Sequence, residues 1–80
     1  MDDRIRQILD EVGHLSRPTE SMQPDDDLYL LGLTSHATVN VMLALEDEFE
    51  IEFPEQMLRR ATFQSLANIR TALLELTSAP

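Results

Sequence analysis

The sequence predicts an all-α fold: a small antiparallel bundle of three main helices plus one short helix, with a long loop between the first two. Three observations predict it. The chain has 80 residues, its apolar patterns have the period of a helix, and no two segments alternate well enough to pair as strands. A chain this short forms one domain, over 1–80, without room for a second core. It has no cysteine, which excludes disulfides, thiolate metal sites and a cysteine nucleophile.

The first helix is predicted over about 3–13. Its apolar residues follow the spacing of an amphipathic helix, and they are Ile5, Ile8, Leu9 and Val12. Asp2 or Asp3 can cap the start of this helix, and Gly13 can end it.

The connection predicted over 14–34 contains Pro18 and Pro24. A connection of that length in a compact domain is usually functional or contains a short element of its own. Its last part, DDLYLLG, is typical of a single helical turn closed by Gly32.

The second long helix is predicted over about 35–49. At about 100° per residue, its inward arc is expected to hold Val39, Met42, Leu45 and Phe49. The outward stripe is expected to hold His36, Asn40, Leu43 and Asp47. Leu43 is therefore a large apolar residue on the side predicted to face solvent, although single exposed leucines are common.

Two further helices are predicted near the C-terminus. Pro54 suits the first turn of a short helix over about 55–60. Thr62 can cap the last helix, over about 63–76. The residues that this helix is expected to bury are Leu66, Ile69, Leu73 and Leu76. The tail TSAP is expected to fray.

The formal charge of −9 is distributed unevenly. Residues 20–55 contain ten acids and no base, whereas the segments on either side contain three arginines each. Such a segment repels a phosphate backbone, so we expect no nucleic-acid partner. A basic protein surface is a better complement. The alternative is a solvated acidic face that only keeps the protein soluble.

No apolar run approaches the length needed to span a membrane, because acids at 46–48 interrupt the longest candidate. The N-terminal stretch MDDRIRQILDEVG is acidic and amphipathic, unlike a signal peptide. We therefore expect a soluble, cytoplasmic protein without a membrane partner.

Metal and hydrolase chemistry have little support in the sequence. A calcium loop that starts at Asp25 or Asp27 has unsuitable residues at several ligand positions. His14 and His36 lack the spacing of zinc ligands. Ser35 neighbours His36, but adjacent helical residues project about 100° apart, and the glycines of a nucleophile elbow are absent. We expect neither an enzyme nor a metal site.

Ser35 remains as a candidate site of attachment. It begins the second long helix, where free amide groups and the positive end of the helix dipole tolerate a phosphodiester. Thr34 is the expected N-cap, which leaves the Ser35 side chain free. The competing interpretation is that Ser35 itself caps the helix and has no other role, and the bare residues favour it.

The segment DLYLLGLTSHATVNVMLALEDEFEIEFP resembles the acyl carrier proteins, which are small acidic helical bundles. The spacing matches from the turn before the serine to the proline of the short helix. ATFQSLANIRTALL is similar to the final helix of that family, so the resemblance covers nearly the whole chain. It implies that Ser35 carries 4′-phosphopantetheine and that the chain tethers an acyl or aminoacyl group as a thioester. The alternative is an acidic helical interaction module without a prosthetic group.

Residues beside the serine depart from the family pattern G-x-D-S-L. Thr34 replaces the usual aspartate, His36 replaces the usual leucine, and Asn40 stands where an acid is frequent. The version GLTSHATV is more similar to a branch of stand-alone aminoacyl carrier proteins, which are loaded by ligases similar to the catalytic core of seryl-tRNA synthetase. The partners that the resemblance implies are a phosphopantetheinyl transferase, an acyl- or aminoacyl-loading ligase, and downstream acyl-transfer enzymes with basic surfaces.

These partners are expected to meet the second helix of a monomeric carrier. The partner-binding residues that we predict are Thr34, His36, Asn40, Leu43, Asp47 and Glu48. Among them Leu43 is an apolar residue bordered by carboxylates, which suits an interface anchored by burial and steered by charge.

Overall fold

The computed structural model describes residues 1–77, which form three α-helices. The helices are α1 (Asp2–Val12), α2 (Ser35–Phe49) and α3 (Leu66–Thr77). Short 3₁₀ turns cover Thr19–Ser21, Glu55–Met57 and Arg60–Phe63. No strand occurs within the described residues, and the all-α fold class is confirmed. The predicted fraying of the tail concerns residues 78–80, which lie outside this range.

One apolar core joins the three helices. Its fully buried residues are Ile5, Leu9, Leu28, Val41, Leu45, Ile69 and Leu73. Helix α1 packs against both α2 and α3. Leu28 belongs to the long loop before α2, so this loop contributes to the core rather than only connecting two helices.

The first half of the long loop is held against α1. The Asp10 carboxylate accepts hydrogen bonds from the backbone N–H of Thr19 at 2.9 Å and from its hydroxyl at 3.0 Å. The Arg6 guanidinium donates to the Thr19 carbonyl oxygen. These partners allow Thr19, a polar residue, to be 2% exposed, because its buried groups are hydrogen-bonded.

The start of α1 differs from the prediction. No side chain caps it, so the predicted cap by Asp2 or Asp3 is wrong. Both acids lie in the first turn, where a carboxylate interacts favourably with the helix dipole. Gly13 follows the last residue of α1 in a right-handed conformation, and His14 is the residue with positive φ. A Cβ at position 13 would lie 2.6 Å from the Leu9 carbonyl oxygen, so this position requires glycine.

The predicted inward face of α2 is rotated from the observed one. The buried residues of α2 are Ala37, Val41 and Leu45. Val39 was predicted to face inward but is 49% exposed, and Met42 and Phe49 are only partly buried. Because α2 has apolar residues on nearly every side, its periodicity does not determine which face is buried. Leu43 is 53% exposed, in agreement with the prediction.

The connection from α2 to α3 contains 3₁₀ turns where the sequence predicted a short helix over 55–60. Pro54 lies immediately before the first turn. The rings of Phe53 and Phe63 meet edge to face, with 5.3 Å between centroids, and both residues are buried. This pair packs the connection onto the core.

Helix α3 begins at Leu66, later than the predicted start at 63. Thr62 was predicted to be its cap, but Thr62 lies in the 3₁₀ turn. The hydroxyl of Ser65 accepts a hydrogen bond from the Asn68 N–H at 3.1 Å and takes the capping role instead. The buried residues of α3 are Leu66, Ile69, Ala72 and Leu73, and Leu76 is partly buried.

Candidate attachment site

Ser35 is the first residue of α2, and it is exposed. The hydroxyl of the preceding Thr34 accepts a hydrogen bond from the Ala37 N–H at 3.0 Å, so Thr34 is the N-cap, as predicted. The Ser35 hydroxyl makes no hydrogen bond to any described residue. The interpretation in which Ser35 only caps the helix is therefore wrong.

A second side chain fixes the first turn of α2. The Thr38 hydroxyl donates a hydrogen bond to the Thr34 carbonyl oxygen at 2.8 Å, and the Thr38 N–H donates to the same oxygen at 2.9 Å. The backbone around Ser35 is consequently held by residues on both sides of it. The hydrogen bonds that start the helix therefore do not involve the Ser35 side chain.

A tight turn leads the chain into this site. The carbonyl oxygen of Leu28 accepts hydrogen bonds from the N–H groups of Leu31 and Leu33, and Leu28 and Leu33 are buried. Between the two donors, Leu31 and Leu33, Gly32 has φ +107°, a conformation that residues with a side chain rarely adopt. This turn therefore sets where the exposed end of α2 begins.

A groove of about 400 Å³ lies alongside Ser35. The residues of α2 that line it are Ser35, Thr38, Val39 and Met42. The other lining residues are Tyr29, Leu58, Arg59, Arg60 and Phe63. Sequence reasoning did not predict this groove, because its walls come from segments that are distant in sequence. Val39 and Leu58, both about half exposed, are the apolar residues of the groove that face solvent.

The wall opposite α2 is held by contacts between the long loop and the 3₁₀ turn Arg60–Phe63. The Arg60 guanidinium lies 3.8 Å from the centre of the Tyr29 ring, at a distance typical of a cation–π contact. The Tyr29 hydroxyl donates a hydrogen bond to the Arg60 carbonyl oxygen at 3.1 Å. Nearby, the Gln64 side chain donates to Asp27 at 3.2 Å. The groove is thus a formed feature of the fold.

The charges that line the groove are positive, in a chain whose formal net charge is −9. They are the guanidinium groups of Arg59 and Arg60. The ion pairs within residues 1–77 join Arg4 to Glu48, Arg17 to Asp26, and Arg70 to Asp2. Neither Arg59 nor Arg60 pairs with a carboxylate in the described part of the chain.

The predicted partner-binding residues on α2 differ in their exposure. His36, Leu43 and Asp47 are exposed, and Asn40 is partly buried. Glu48 is also exposed, but its carboxylate lies 3.2 Å from Arg4.

Leu43 has an apolar neighbour that the sequence analysis assigned to the core. Val39 lies one helical turn before Leu43, and the two side chains are 49% and 53% exposed. The exposed apolar surface of α2 therefore extends from Leu43 towards Ser35.

Within the described residues, no group of histidine, cysteine, aspartate or glutamate side chains is arranged to hold a metal ion. No described helix is both long enough and apolar enough to cross a membrane.

The geometry offers a free hydroxyl at the start of a helix, beside a groove, in a small acidic bundle. A family model described as "Phosphopantetheine attachment site" matches residues 3–73, and the chain belongs to this family. Its members are carriers rather than enzymes. This chain is therefore a carrier protein with 4′-phosphopantetheine as its prosthetic group. The alternative of an interaction module without a prosthetic group is not favoured.

Relatives place the chain more closely within the carriers. Over 69 residues it is 42% identical to the aminoacyl carrier protein of Agrobacterium fabrum. The aligned residues cover 86% of this chain and 83% of the relative. Its fold matches a solved chain with a TM-score of 0.89 and 40% identity, over 91% of this chain and 97% of the other. That structure is an engineered Bradyrhizobium japonicum glycine:carrier protein ligase complexed with carrier protein from Agrobacterium tumefaciens and AMP.

A second solved structure contains the Bradyrhizobium japonicum ligase complexed with glycylated carrier protein. The match has a TM-score of 0.76 and 25% identity, over 89% of this chain and 95% of the other. The resemblance to the acyl carrier proteins and to their aminoacyl branch is thus confirmed.

Proposed function

We propose that Ser35 is the residue that carries the phosphopantetheine arm. The observation that carries this proposal is the Ser35 hydroxyl, which is exposed at the start of α2 and makes no hydrogen bond within residues 1–77. Thr34 performs the capping role that would otherwise occupy a serine at this position. Attachment thus leaves the hydrogen bonds of the helix start in place.

Attachment requires one bond to form and one to break. Ser35 Oγ bonds to the phosphorus that bears pantetheine in coenzyme A, and the bond between the two phosphates breaks. Adenosine 3′,5′-bisphosphate leaves, and a base on the phosphopantetheinyl transferase takes the hydroxyl proton. The attached arm supplies the thiol for a thioester, which a chain without cysteine cannot provide. The role of this chain is to position the arm and to be recognised by its partners.

We propose that the cargo is a small amino acid. The support is the similarity to an aminoacyl carrier protein and to carriers solved with glycine ligases, one of them glycylated. The partners would then be a phosphopantetheinyl transferase, an ATP-dependent aminoacyl ligase and downstream acyl-transfer enzymes. A cytoplasmic location suits this proposal, because it gives the ligase access to ATP.

The surface that these partners contact is proposed to lie on α2 around Ser35. The proposed contact residues are Thr34, His36, Asn40, Leu43, Asp47 and Glu48. Leu43 would be buried in a shallow apolar pocket of the partner, and Asp47 would attract arginine or lysine at the rim. Glu48 would exchange its ion pair with Arg4 for a partner cation.

Locating the modification by mass spectrometry tests the proposal. The protein is incubated with coenzyme A and a phosphopantetheinyl transferase, digested, and sequenced by tandem mass spectrometry. The added group should be found on the peptide that contains Ser35 and be absent from Ser35→Ala. Ser16→Ala is a matched control, because Ser16 is also exposed. Addition that persists in Ser35→Ala, or addition that fails in wild type with every transferase tried, would contradict the proposal.

A further inference from the structure

The arginines of this chain fall into two groups. Arg4, Arg17 and Arg70 each pair with a carboxylate, and Arg6 donates to the Thr19 carbonyl oxygen. The remaining arginines, Arg59 and Arg60, have no carboxylate partner in the described part of the chain, and both line the groove beside Ser35.

Backbone hydrogen bonds fix the main chain at Arg59, and a ring contact fixes the side chain of Arg60. The Arg59 N–H donates to the Met57 carbonyl oxygen at 2.9 Å, and the Arg59 carbonyl oxygen accepts from the Thr62 N–H at 3.1 Å. The Arg60 guanidinium is stacked on Tyr29. The Arg60 guanidinium is therefore already positioned, and a positioned cation loses less conformational entropy when it binds an anion.

The charged residues that line the groove are positive, whereas the whole chain carries a negative net charge. Ten acids lie in residues 20–55, yet no carboxylate lines the groove. The residues on either side of Ser35 in sequence, Thr34 and His36, are not acids either. An anion at Ser35 would therefore meet a cationic wall within an acidic protein.

We propose that Arg59 and Arg60 bind the phosphodiester formed at Ser35 and direct the first part of the arm along this groove. The inference rests on the proposed attachment at Ser35. A phosphodiester keeps one negative charge at neutral pH, and the guanidinium group presents a planar set of donors that matches phosphate oxygens. The arm is covalently joined to a residue of the same groove, so its effective concentration at the arginines is high.

The contact is exposed to water and is therefore weak and sensitive to salt. The arm alternates between a state that lies on Arg59 and Arg60 and a free state that a partner enzyme can take up. Val39 and Leu58, both about half exposed, offer apolar surface next to the bound state. Arg59 and Arg60 act here as positioning residues for the arm.

Nuclear magnetic resonance of the purified holo protein tests this inference. The ³¹P signal of the phosphodiester reports how fast the phosphate reorients, and the ¹⁵Nε signals report on each arginine. Four proteins are compared: wild type, Arg59→Gln, the Arg59→Gln/Arg60→Gln double variant, and Arg17→Gln. Arg17 is the matched control, because its side chain is 50% exposed but pairs with Asp26 instead of lining the groove.

In wild type, the Arg59 Nε signal should shift between the apo and holo forms, whereas the Arg17 signal should not. The phosphate should reorient faster in the double variant than in wild type, and Arg17→Gln should behave as wild type. Added salt should bring wild type towards the double variant. Arg59→Gln alone keeps the stacking of Arg60 on Tyr29, and it should give an intermediate rate. Thermal melts of the apo forms show whether each variant is folded.

An unchanged Arg59 signal, or the same phosphate motion in folded wild type and double variant, would overturn the inference. If the double variant slows loading by a ligase without changing phosphate motion, the arginines contact an acidic surface of the ligase, and the inference is likewise wrong. Intact mass measured before these experiments separates the two proposals. Absence of the added group on wild type would overturn the attachment at Ser35 and this inference with it.

Discussion

The hydroxyl of Thr34 accepts a hydrogen bond from the N–H of Ala37 at 3.0 Å, whereas the hydroxyl of the next residue, Ser35, makes none within residues 1–77. The two adjacent hydroxyl side chains therefore have separate roles. A serine that capped the helix would have its hydroxyl oxygen altered by esterification. Because Thr34 is the cap, the start of α2 is expected to be equally stable with and without the arm.

Removing the cap should lower stability, whereas removing the candidate attachment hydroxyl should not. Thr34→Ala is expected to lower the free energy of unfolding by about 1 kcal/mol. Thr34→Asp should retain most of the stability that the cap contributes, because aspartate is also a good N-cap. Ser35→Ala should change the free energy of unfolding by less than about 0.5 kcal/mol. Urea unfolding followed by circular dichroism measures all three. Equal stability of Thr34→Ala and wild type would show that the cap contributes nothing.

Leu43 and Leu45 offer a matched pair of leucines on one helix. Leu43 is 53% exposed and Leu45 is 0% exposed. Leu43→Ala should weaken binding to a partner enzyme by about 1–2 kcal/mol and hardly change stability. Leu45→Ala should lower the free energy of unfolding by about 2–5 kcal/mol.

Binding titrations and thermal melts on both leucine variants separate the two roles. A Leu43→Ala protein that melts early yet binds its partner with unchanged affinity would show that Leu43 belongs to the core.

The charge of Asp47 should affect the rate of association more than the rate of dissociation. Asp47→Lys places a cation on the face proposed to meet basic partner surfaces, so stopped-flow association should slow, and added salt should reduce the difference from wild type. Glu75→Lys on α3 changes the net charge by the same amount at another exposed acid. Equal slowing by both variants would attribute the effect to net charge and not to this face.

Gly32 should be intolerant of a side chain. Its φ of +107° is strained for alanine, and a Cβ would also lie 3.4 Å from the Ser16 backbone nitrogen. Gly32→Ala is expected to lower the free energy of unfolding by more than about 1 kcal/mol. Ser16→Ala changes the neighbouring residue without this strain and serves as the control in the same chemical denaturation experiment. A Gly32→Ala protein as stable as the control would indicate that the turn adopts another conformation.

Local patterns were sufficient to predict the fold class and the cap at Thr34. The predicted and observed bounds of α2 coincide. Gly32 and Thr34 mark its start, and Glu50 ends it in a left-handed conformation. The rotation of α2 was not predictable in this way. Val39 and Val41 are the same residue type, two positions apart. Only the packing of α2 against α1 and the rest of the core buries Val41 and leaves Val39 exposed.

The groove beside Ser35 was not predictable from the sequence, for a different reason. Tyr29, Val39 and Arg60 come together only through the tertiary fold. Nothing in the local sequence pattern distinguishes Arg59 and Arg60 from the arginines that form ion pairs. The late start of α3 was missed because Thr62 and Ser65 are both capable caps, and the 3₁₀ turn between them decides which one is used.

Stepwise loading followed by intact mass tests the central claim most directly. Wild type and Ser35→Ala are incubated first with coenzyme A and a phosphopantetheinyl transferase, and then with glycine, ATP and a glycine:carrier protein ligase. Wild type should gain one phosphopantetheinyl group and then one glycyl group, and hydroxylamine should remove only the second. Ser35→Ala should gain neither. Gain of both groups by Ser35→Ala, or a wild type that never accepts the first, would contradict a carrier built on Ser35.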